Sequence, residues 1–146
     1  MIKVFLARHA DIDLPRTSSD PDLNAAGRAR AQALTGVEGV ADVKAIFTST
    51  FARTKQTVAP LAAMLGLEPR VTSGNLISDL LSGPDGAVVL IAGHSDTVPT
   101  MIGALGVAPP LPIIYEPDFD NLFVVTAMPA TRQAALVRLK YGKGSA

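Results

Sequence analysis

The sequence contains no cysteine and only two histidines among its 146 residues. The absence of cysteine excludes disulfide bonds, thiolate metal sites, redox switching and cysteine-dependent phosphatase chemistry. Basic and acidic residues number thirteen each, so no net charge attracts nucleic acid or an acidic membrane surface. No apolar run approaches the ~20 residues needed to span a bilayer. We therefore expect neither nucleic acid nor a membrane as partner, and an anion site would have to be built locally.

Length and composition predict one globular domain over residues 1–146. The hydrophobic fraction of 48% is typical of a chain that buries a core, and neither an internal repeat nor a change in composition marks a second domain. Met1 leads directly into an apolar run, without the charged and apolar regions of a signal peptide, so we expect a cytoplasmic protein. The glycine-rich end, residues 141–146, predicts a flexible tail.

The order of apolar and helical patterns predicts an α/β fold. Strand-like runs alternate with helical patterns in the first two thirds of the chain, which indicates a mainly parallel sheet with helices on both faces, a three-layer α/β/α sandwich. The expected strands are residues 2–7, 43–48, 68–71 and 87–92, followed by a late pair at 122–127 and 134–139. The expected helices are residues 25–34, about 50–65, 76–81 and 97–105.

Helix start and stop signals support the first two helices. Asn24 is a suitable N-cap for the first helix, and Ser49 or Thr50 for the second. Gly66 predicts the end of the second helix. Pro60 lies inside that pattern and is expected to kink or split the helix, because proline lacks the backbone N–H.

Both histidines directly follow strand-like apolar runs. His9 follows residues 2–8, and His94 follows residues 87–93. The carboxyl ends of parallel strands form the ligand crevice of an open α/β sheet. Arg8 precedes His9, and Arg53 falls in the first turn of the helix after the second strand. Because helix N-termini also favour anions, we expect these side chains to converge on an anion site.

The chemistry of this set fits phosphate. Guanidinium groups bind phosphate oxygens in a bidentate manner, and a neutral imidazole is a competent nucleophile towards phosphorus. Two arginines and a second histidine could neutralise the charge on a transferring phosphoryl group, so no metal or cofactor is required. Taken singly, each histidine could instead be a hydrogen-bonded residue at a strand end, and Arg53 a surface arginine.

Four segments resemble motifs of one family, the histidine phosphatase superfamily, also called phosphoglycerate mutase-like. The stretch 6–10 is similar to its Arg-His-Gly motif, and 49–57 to its serine-rich turn followed by an arginine and a Gln-Thr pair. The stretch 93–99 resembles its Gly-His-Ser-Asn segment, and 22–27 a stretch with Leu-Thr and then Gly. The resemblance runs from Ile2 to about Gly106, with residues 122–142 as the closing strands. It implies a phosphoglycerate mutase-like fold.

The resemblance also implies roles. His9 would be the nucleophile that becomes phosphohistidine, with a backbone carbonyl fixing its tautomer, while Arg8, Arg53 and His94 would hold the phosphoryl group. Ala10 in place of the usual glycine is shared by the short phosphohistidine phosphatase-like branch. The implied activity is a metal-independent phosphohydrolase acting on a phosphorylated protein side chain or a small phosphate compound. Phosphate, sulfate or vanadate should bind its site.

Some positions depart from the family pattern. Asp96 stands where asparagine is common and could oppose phosphate binding, while Asn24 replaces a threonine. Residues 72–86 contain no glutamate, which many relatives use as the proton donor to the leaving group. Asp79 is the best-placed substitute, with Asp11 and Asp13 as further candidates. A weak donor would favour phosphoramidates or activated phosphates as substrates.

Other functions remain open from the sequence. The chain could be a phosphate-binding module with little turnover, or a phosphoglycerate mutase-type phosphotransferase. Only 40 residues separate Arg53 from His94, which leaves no room for a large capping insertion. A metallohydrolase using Asp11 or Asp96 lacks the usual ligand spacing. A Ser-His-Asp hydrolase is disfavoured because residues 93–97 do not match Gly-x-Ser-x-Gly.

Overall fold

The centre of the molecule is a six-stranded sheet. In the computed structural model, which describes residues 1–144, the strand order is β3-β2-β4-β1-β5-β6. The strands are β1 (Ile2–Arg8), β2 (Ala45–Thr48), β3 (Arg70–Val71), β4 (Val88–Gly93), β5 (Asn121–Met128) and β6 (Gln133–Lys140). The strands β3, β2, β4 and β1 are parallel to one another. The strand β5 pairs antiparallel with β1, and β6 pairs antiparallel with β5 as a hairpin. The α/β class with a mainly parallel sheet is confirmed.

Four α-helices connect the strands. They are α1 (Ala25–Leu34), α2 (Ala52–Leu65), α3 (Leu76–Ser82) and α4 (Thr97–Ala104), with a short 3-10 helix at Val40–Asp42. Asn24 caps α1 as predicted, since its side chain accepts a hydrogen bond from the backbone N–H of Gly27, and Gly66 ends α2 in the left-handed conformation. Within residues 1–144, no helix is long and apolar enough to cross a membrane.

The helices cover both faces of the sheet, so the predicted three-layer sandwich is confirmed. Successive residues of a strand point to opposite faces. One face of β1, β4 and β5 packs on α1 and α2 through Phe5, Ala7, Leu34, Val58, Leu61, Leu90 and Val124. The other face packs on α3 and α4 through Val4, Leu6, Leu76, Ile91, Val98, Ile102 and Phe123.

The parallel pair β1 and β4 places both histidines at one edge of the sheet. Arg8 is the register partner of Gly93, and the backbone N–H of His9 donates to the carbonyl of Gly93 at 2.9 Å. The residue after each strand is therefore a histidine, at the carboxyl edge where ligands bind in open α/β sheets.

The helix α2 differs from two expectations. It runs unbroken through Pro60, so a split at this residue is wrong, whereas a kink there stays a prediction; the buried side chains of Val58 and Leu61 hold both halves against the sheet. Its N-cap is Phe51 rather than Ser49 or Thr50, and Phe51 makes no side-chain cap. The carboxylate of Asp20 accepts from the backbone N–H of Ala52 at 2.8 Å instead, and this contact comes from a loop distant in sequence.

The predicted tail at 141–146 is wrong at its first residue. Tyr141 is buried, and its backbone N–H donates to the carbonyl of Asp120. Its own carbonyl accepts from Nη1 of the buried Arg30, whose Nε donates to Asp11 at 2.6 Å. This network fixes the end of β6 against α1, while residues 145–146 lie outside the described residues.

Gly27 lets α1 pack closely against the loop that follows His9. A Cβ on Gly27 would lie 2.2 Å from the backbone oxygen of Asp11, whereas a Cβ on Gly103 of α4 would meet nothing within 4 Å. We expect Gly27→Ala to lower the free energy of unfolding by about 1–3 kcal/mol, since α1 has to move away from the loop after His9. Gly103→Ala should leave it unchanged or raise it by up to about 1 kcal/mol. Urea unfolding of both variants measures this, and equal effects would contradict the close packing.

Candidate active site

His9 is held in one tautomer by its neighbour. Its Nδ1 lies 2.8 Å from the carbonyl oxygen of Ala10, and the side chain is buried. Because a carbonyl can only accept, Nδ1 carries the proton of the neutral ring. Nε2 is then left with a lone pair, which is the form that a nucleophile needs.

Thr57 joins the His9 segment to α2. Its buried hydroxyl oxygen accepts from the backbone N–H of Ala10 at 2.8 Å and donates to the carbonyl of Arg53 at 2.7 Å. The peptide that orients the His9 ring is therefore bonded to the helical turn that carries Arg53. Two of the segments predicted to converge are connected through a single side chain.

His94 is oriented by two hydroxyl groups. Its Nε2 lies 2.8 Å from Oγ of Ser49, which in turn lies 2.8 Å from Oγ1 of Thr54. The Thr54 hydroxyl donates to the carbonyl of Phe51 at 2.9 Å, so its oxygen accepts the proton of Ser49. The Ser49 oxygen can then accept from His94, which places the proton of the neutral ring on Nε2.

Arg8 is held by a loop that the sequence did not connect with the site. Its Nη1 donates to the carbonyl oxygens of Tyr115, Glu116 and Asp118, at 3.3, 2.5 and 3.0 Å. The guanidinium carbon also lies 4.4 Å from the ring centre of Phe119. Carbonyls from the segment between α4 and β5 thus solvate a buried charge that ends an apolar strand.

Arg53 approaches from the first turn of α2. Its guanidinium carbon lies 4.4 Å from the ring centre of Phe51, and Nη1 lies 3.8 Å from a carboxylate oxygen of Asp20. The Nε atoms of Arg8 and Arg53 are buried and have no hydrogen-bond partner within the described residues. Part of the hydrogen-bonding capacity of both arginines is therefore not used by the protein itself.

One cleft contains all four residues that the sequence singled out. Arg8, His9, Arg53 and His94 line the same cavity of about 890 Å³, and the two imidazole ring centres are 5.6 Å apart. Sequence reasoning missed several other lining residues, above all the charged Arg16 and Glu116. These two lie in irregular, proline-containing loops, where no periodicity indicates which way a side chain points.

Burial favours the neutral form of both imidazoles. Burial is the main cause that lowers the pKa of His9 to about 3; the hydrogen bond to Ala10 opposes this shift, and the charges of Arg8 and Arg53 add to it. The pKa of His94 is lowered by burial and then by Arg53. An unfolded chain binds a proton at His9 near pH 6.5, so the free energy of unfolding falls as the pH drops from there towards 3.

Burial also lowers the pKa of both arginines. It brings that of Arg8 to about 10, although Glu116 opposes the shift, and it lowers that of Arg53, where Arg16 adds to the effect. Arg8 stays charged at neutral pH. A small cleft therefore concentrates positive charge at low solvent exposure, which favours an anion.

The proposed proton donors do not lie in the cleft. Asp79 is exposed on α3 and is not among the residues that line it. Asp11 is paired with Arg30, and Asp13 accepts from the side chain of Asn24. Within residues 1–144, no group of three or more His, Cys, Asp or Glu side chains could hold a metal ion.

Two other carboxylates do line the cleft. Glu116 lies on the loop that holds Arg8, and Asp96 lies just before α4. One oxygen of Asp96 accepts from the backbone N–H of Thr97 at 2.9 Å, so part of its charge is directed to the start of α4 rather than to the arginines.

Comparison with known proteins identifies a family model and several similar folds. The model of the histidine phosphatase superfamily (branch 1) matches residues 4–77, which include the segments of Arg8, His9 and Arg53. No curated protein sequence matches the chain.

Solved structures share the fold at low sequence identity. A protein histidine phosphatase SixA complexed with tungstate is 21% identical, with 94% of this chain and 96% of that chain covered and a TM-score of 0.71. A putative phosphohistidine phosphatase SixA from Agrobacterium tumefaciens is 23% identical, with 96% and 98% covered and a TM-score of 0.62. A mycobacterial glucosyl-3-phosphoglycerate phosphatase complexed with VO3 is 16% identical, with 93% and 96% covered and a TM-score of 0.68.

The Thr57 bridge leads to a stability prediction. Thr57→Val keeps the shape of the side chain but leaves the buried N–H of Ala10 without an acceptor, so it should cost about 1–3 kcal/mol in the free energy of unfolding. Thr57→Ser keeps the hydroxyl and should recover much of that loss. Urea denaturation of the two variants gives the difference, and a serine variant no more stable than the valine variant would argue against the hydrogen bonds.

The state of the two imidazoles can be read directly by NMR. With ¹⁵N-labelled histidine, we expect the His9 ring to remain neutral at pH 5.5 with its proton on Nδ1. We expect the pKa of His94 to lie below that of a histidine in an unfolded chain, with the proton of its neutral ring on Nε2. Burial lowers the pKa of both rings, and the hydrogen bonds to the Ala10 carbonyl and the Ser49 hydroxyl fix the two tautomers. His9→Ala and His94→Ala spectra assign the signals. A His9 ring that titrates near pH 6.5 would contradict this environment.

Proposed function

Because the chain belongs to the histidine phosphatase superfamily, we propose that it is a metal-independent phosphohydrolase that acts through a phosphohistidine on His9. The observation that carries this proposal is the neutral His9 ring, held by the Ala10 carbonyl through Nδ1 and facing two arginines and a second histidine in one cleft. The free Nε2 is the atom that would attack phosphorus.

The reaction has two displacements. In the first, the lone pair of His9 Nε2 forms a bond to phosphorus while the bond from phosphorus to the leaving oxygen or nitrogen breaks, and the leaving atom keeps that electron pair and takes a proton. In the second, the oxygen of a water molecule forms a bond to phosphorus while the bond from phosphorus to His9 Nε2 breaks. Nε2 keeps that electron pair, the attacking water gives up a proton to the solvent, and phosphate and neutral His9 are released. Splitting the reaction in this way lowers each barrier.

The surrounding cations supply the electrostatic part of catalysis. Arg8 and Arg53 would donate hydrogen bonds to the non-transferring oxygens, whose charge is spread most widely in the transition state. His94, whose Nε2–H is used by Ser49, would donate as well when the charge of the bound phosphoryl group brings a second proton to Nδ1. Because the cleft is held by backbone carbonyls and hydroxyls, these donors are in place before the substrate arrives.

Two substrate classes are supported by the similar structures. Similar structures carry tungstate, phosphate and VO3, which supports binding of phosphate, sulfate or vanadate here. The likeness to a protein histidine phosphatase supports a phosphorylated protein side chain, and that to a glucosyl-3-phosphoglycerate phosphatase supports a small phosphate ester. The carboxylates that line the cleft, Glu116 and Asp96, are the groups available to protonate a leaving atom.

The mechanism is tested by trapping the intermediate. Wild-type protein incubated with ³²P-labelled acetyl phosphate and quenched in alkali should retain an acid-labile label, and His9→Ala should retain none and lose turnover. Arg53→Ala should lower kcat/KM by about 10²–10³-fold, as expected for loss of one transition-state donor.

Lys55→Ala is the matched control for Arg53→Ala, since Lys55 is exposed on the same helix. It should behave as wild type. Turnover by His9→Ala near the wild-type rate would overturn the mechanism. Phosphate binding without label or turnover on any phosphorylated compound would instead indicate a phosphate-binding module.

A further inference from the structure

A second cavity lies beside the cleft, with His94 between them. It encloses about 490 Å³ among the carboxyl ends of β2, β3 and β4 and the helices α3 and α4. It shares His94, Asp96 and Thr97 with the cleft, so the two spaces adjoin. Its volume falls in the range of small-molecule binding sites, about 300–1,000 Å³.

The walls of this cavity are apolar side chains and hydroxyl groups. The apolar part consists of Val71, Leu76, Ile77, Ala92 and Met101. The hydroxyl groups belong to Ser49, Thr50, Thr72, Ser73, Thr97 and Thr100. A lining that combines apolar side chains with hydroxyl groups suits an organic ligand, because burial of apolar surface supplies affinity and the polar groups fix orientation.

The cleft and the second cavity differ in the charge of the residues that line them. The cleft contains Arg8, Arg16 and Arg53, whereas none of the described residues that line the second cavity is Lys or Arg. Its ionisable lining residues are His94 and Asp96. A carboxylate or second phosphate placed there would lose water without gaining a cation and would also face the charge of Asp96.

Resting on the proposed function, we propose that this cavity receives the leaving group of the substrate, and that the group is an uncharged or cationic one with an apolar, ring-sized surface. A phosphoryl group held beside His9 and His94 brings whatever it is attached to within reach of the cavity. The arginines of the cleft thus bind the phosphoryl group that is transferred, and the second cavity binds the leaving group of the substrate.

The first test compares three substrates and two variants. We expect wild type to hydrolyse 2-naphthyl phosphate with kcat/KM at least about tenfold above that for 3-phosphoglycerate, which carries a carboxylate. Thr100→Phe places a ring in the cavity and should lower the ratio of kcat/KM for 2-naphthyl phosphate over acetyl phosphate by about tenfold or more. Thr131→Phe, at the turn of the β5–β6 hairpin, is the matched control and should keep the ratio.

The outcomes distinguish this inference from the proposed function. Turnover of acetyl phosphate with a preference for 3-phosphoglycerate, or with a ratio unaffected by Thr100→Phe, would overturn the inference alone. Failure to hydrolyse any of the three substrates would overturn the proposed function. Binding of 2-naphthol would then test whether the cavity accepts an apolar ring.

The binding test does not depend on activity or on a variant that folds. With ¹³C-methyl methionine, 2-naphthol added to wild type should shift the signal of Met101, which lines the cavity, and leave those of Met64 and Met128 in place. Met64 and Met128 are exposed and line neither the cleft nor this cavity. No shift at Met101 up to saturating 2-naphthol would overturn the inference.

Discussion

The parallel pairing of β1 with β4 is the constraint on which the site depends. Arg8 lies opposite Gly93 in the register, and the bond from the His9 N–H to the Gly93 carbonyl continues the ladder one residue beyond the strands. A shift of one residue would send every side chain of β1 to the opposite face. Val4 and Leu6 are buried on one face of the sheet, and Phe5 and Ala7 on the other. Their burial therefore fixes the register of β1, and with it the position of both histidines at the carboxyl edge of the sheet.

The positive charge of the cleft has a structural cost that the protein offsets with neutral dipoles. Arg8 is solvated by three carbonyls of the 115–118 segment, and Arg53 stacks on Phe51 with a distant, half-exposed Asp20. A carboxylate in direct contact with each arginine would stabilise the free protein more and would compete with an anionic ligand. Solvation by dipoles leaves the field of the guanidinium groups available to the ligand.

The parts predicted from sequence are those set by local pattern. Each of three features has a signature within a few residues: the strand that ends at Arg8, the Asn24 cap and the end of α2 at Gly66. The two histidines could be assigned to one site because each follows a strand-like run and so lies at the carboxyl edge of the sheet. The carbonyls that hold Arg8 have no such signature, because every residue carries one. The capping of Ala52 by Asp20 and the burial of Tyr141 also depend on long-range packing, which a linear pattern does not contain.

The segment 72–86, which contains no glutamate, contributes to the wall of the second cavity. With Thr72 and Ser73, it forms part of a wall with hydroxyl and apolar groups, so that side of His94 has room for a ligand, and Asp96 is the one carboxylate among the described residues that line the cavity. A leaving group that departs without a strong acid is one of low basicity, such as a ring nitrogen or an aryl oxygen. Such atoms belong to apolar rings that carry no charge in the bound substrate. The lining of the cavity and the absence of the glutamate thus favour the same chemistry, although they arise from different residues.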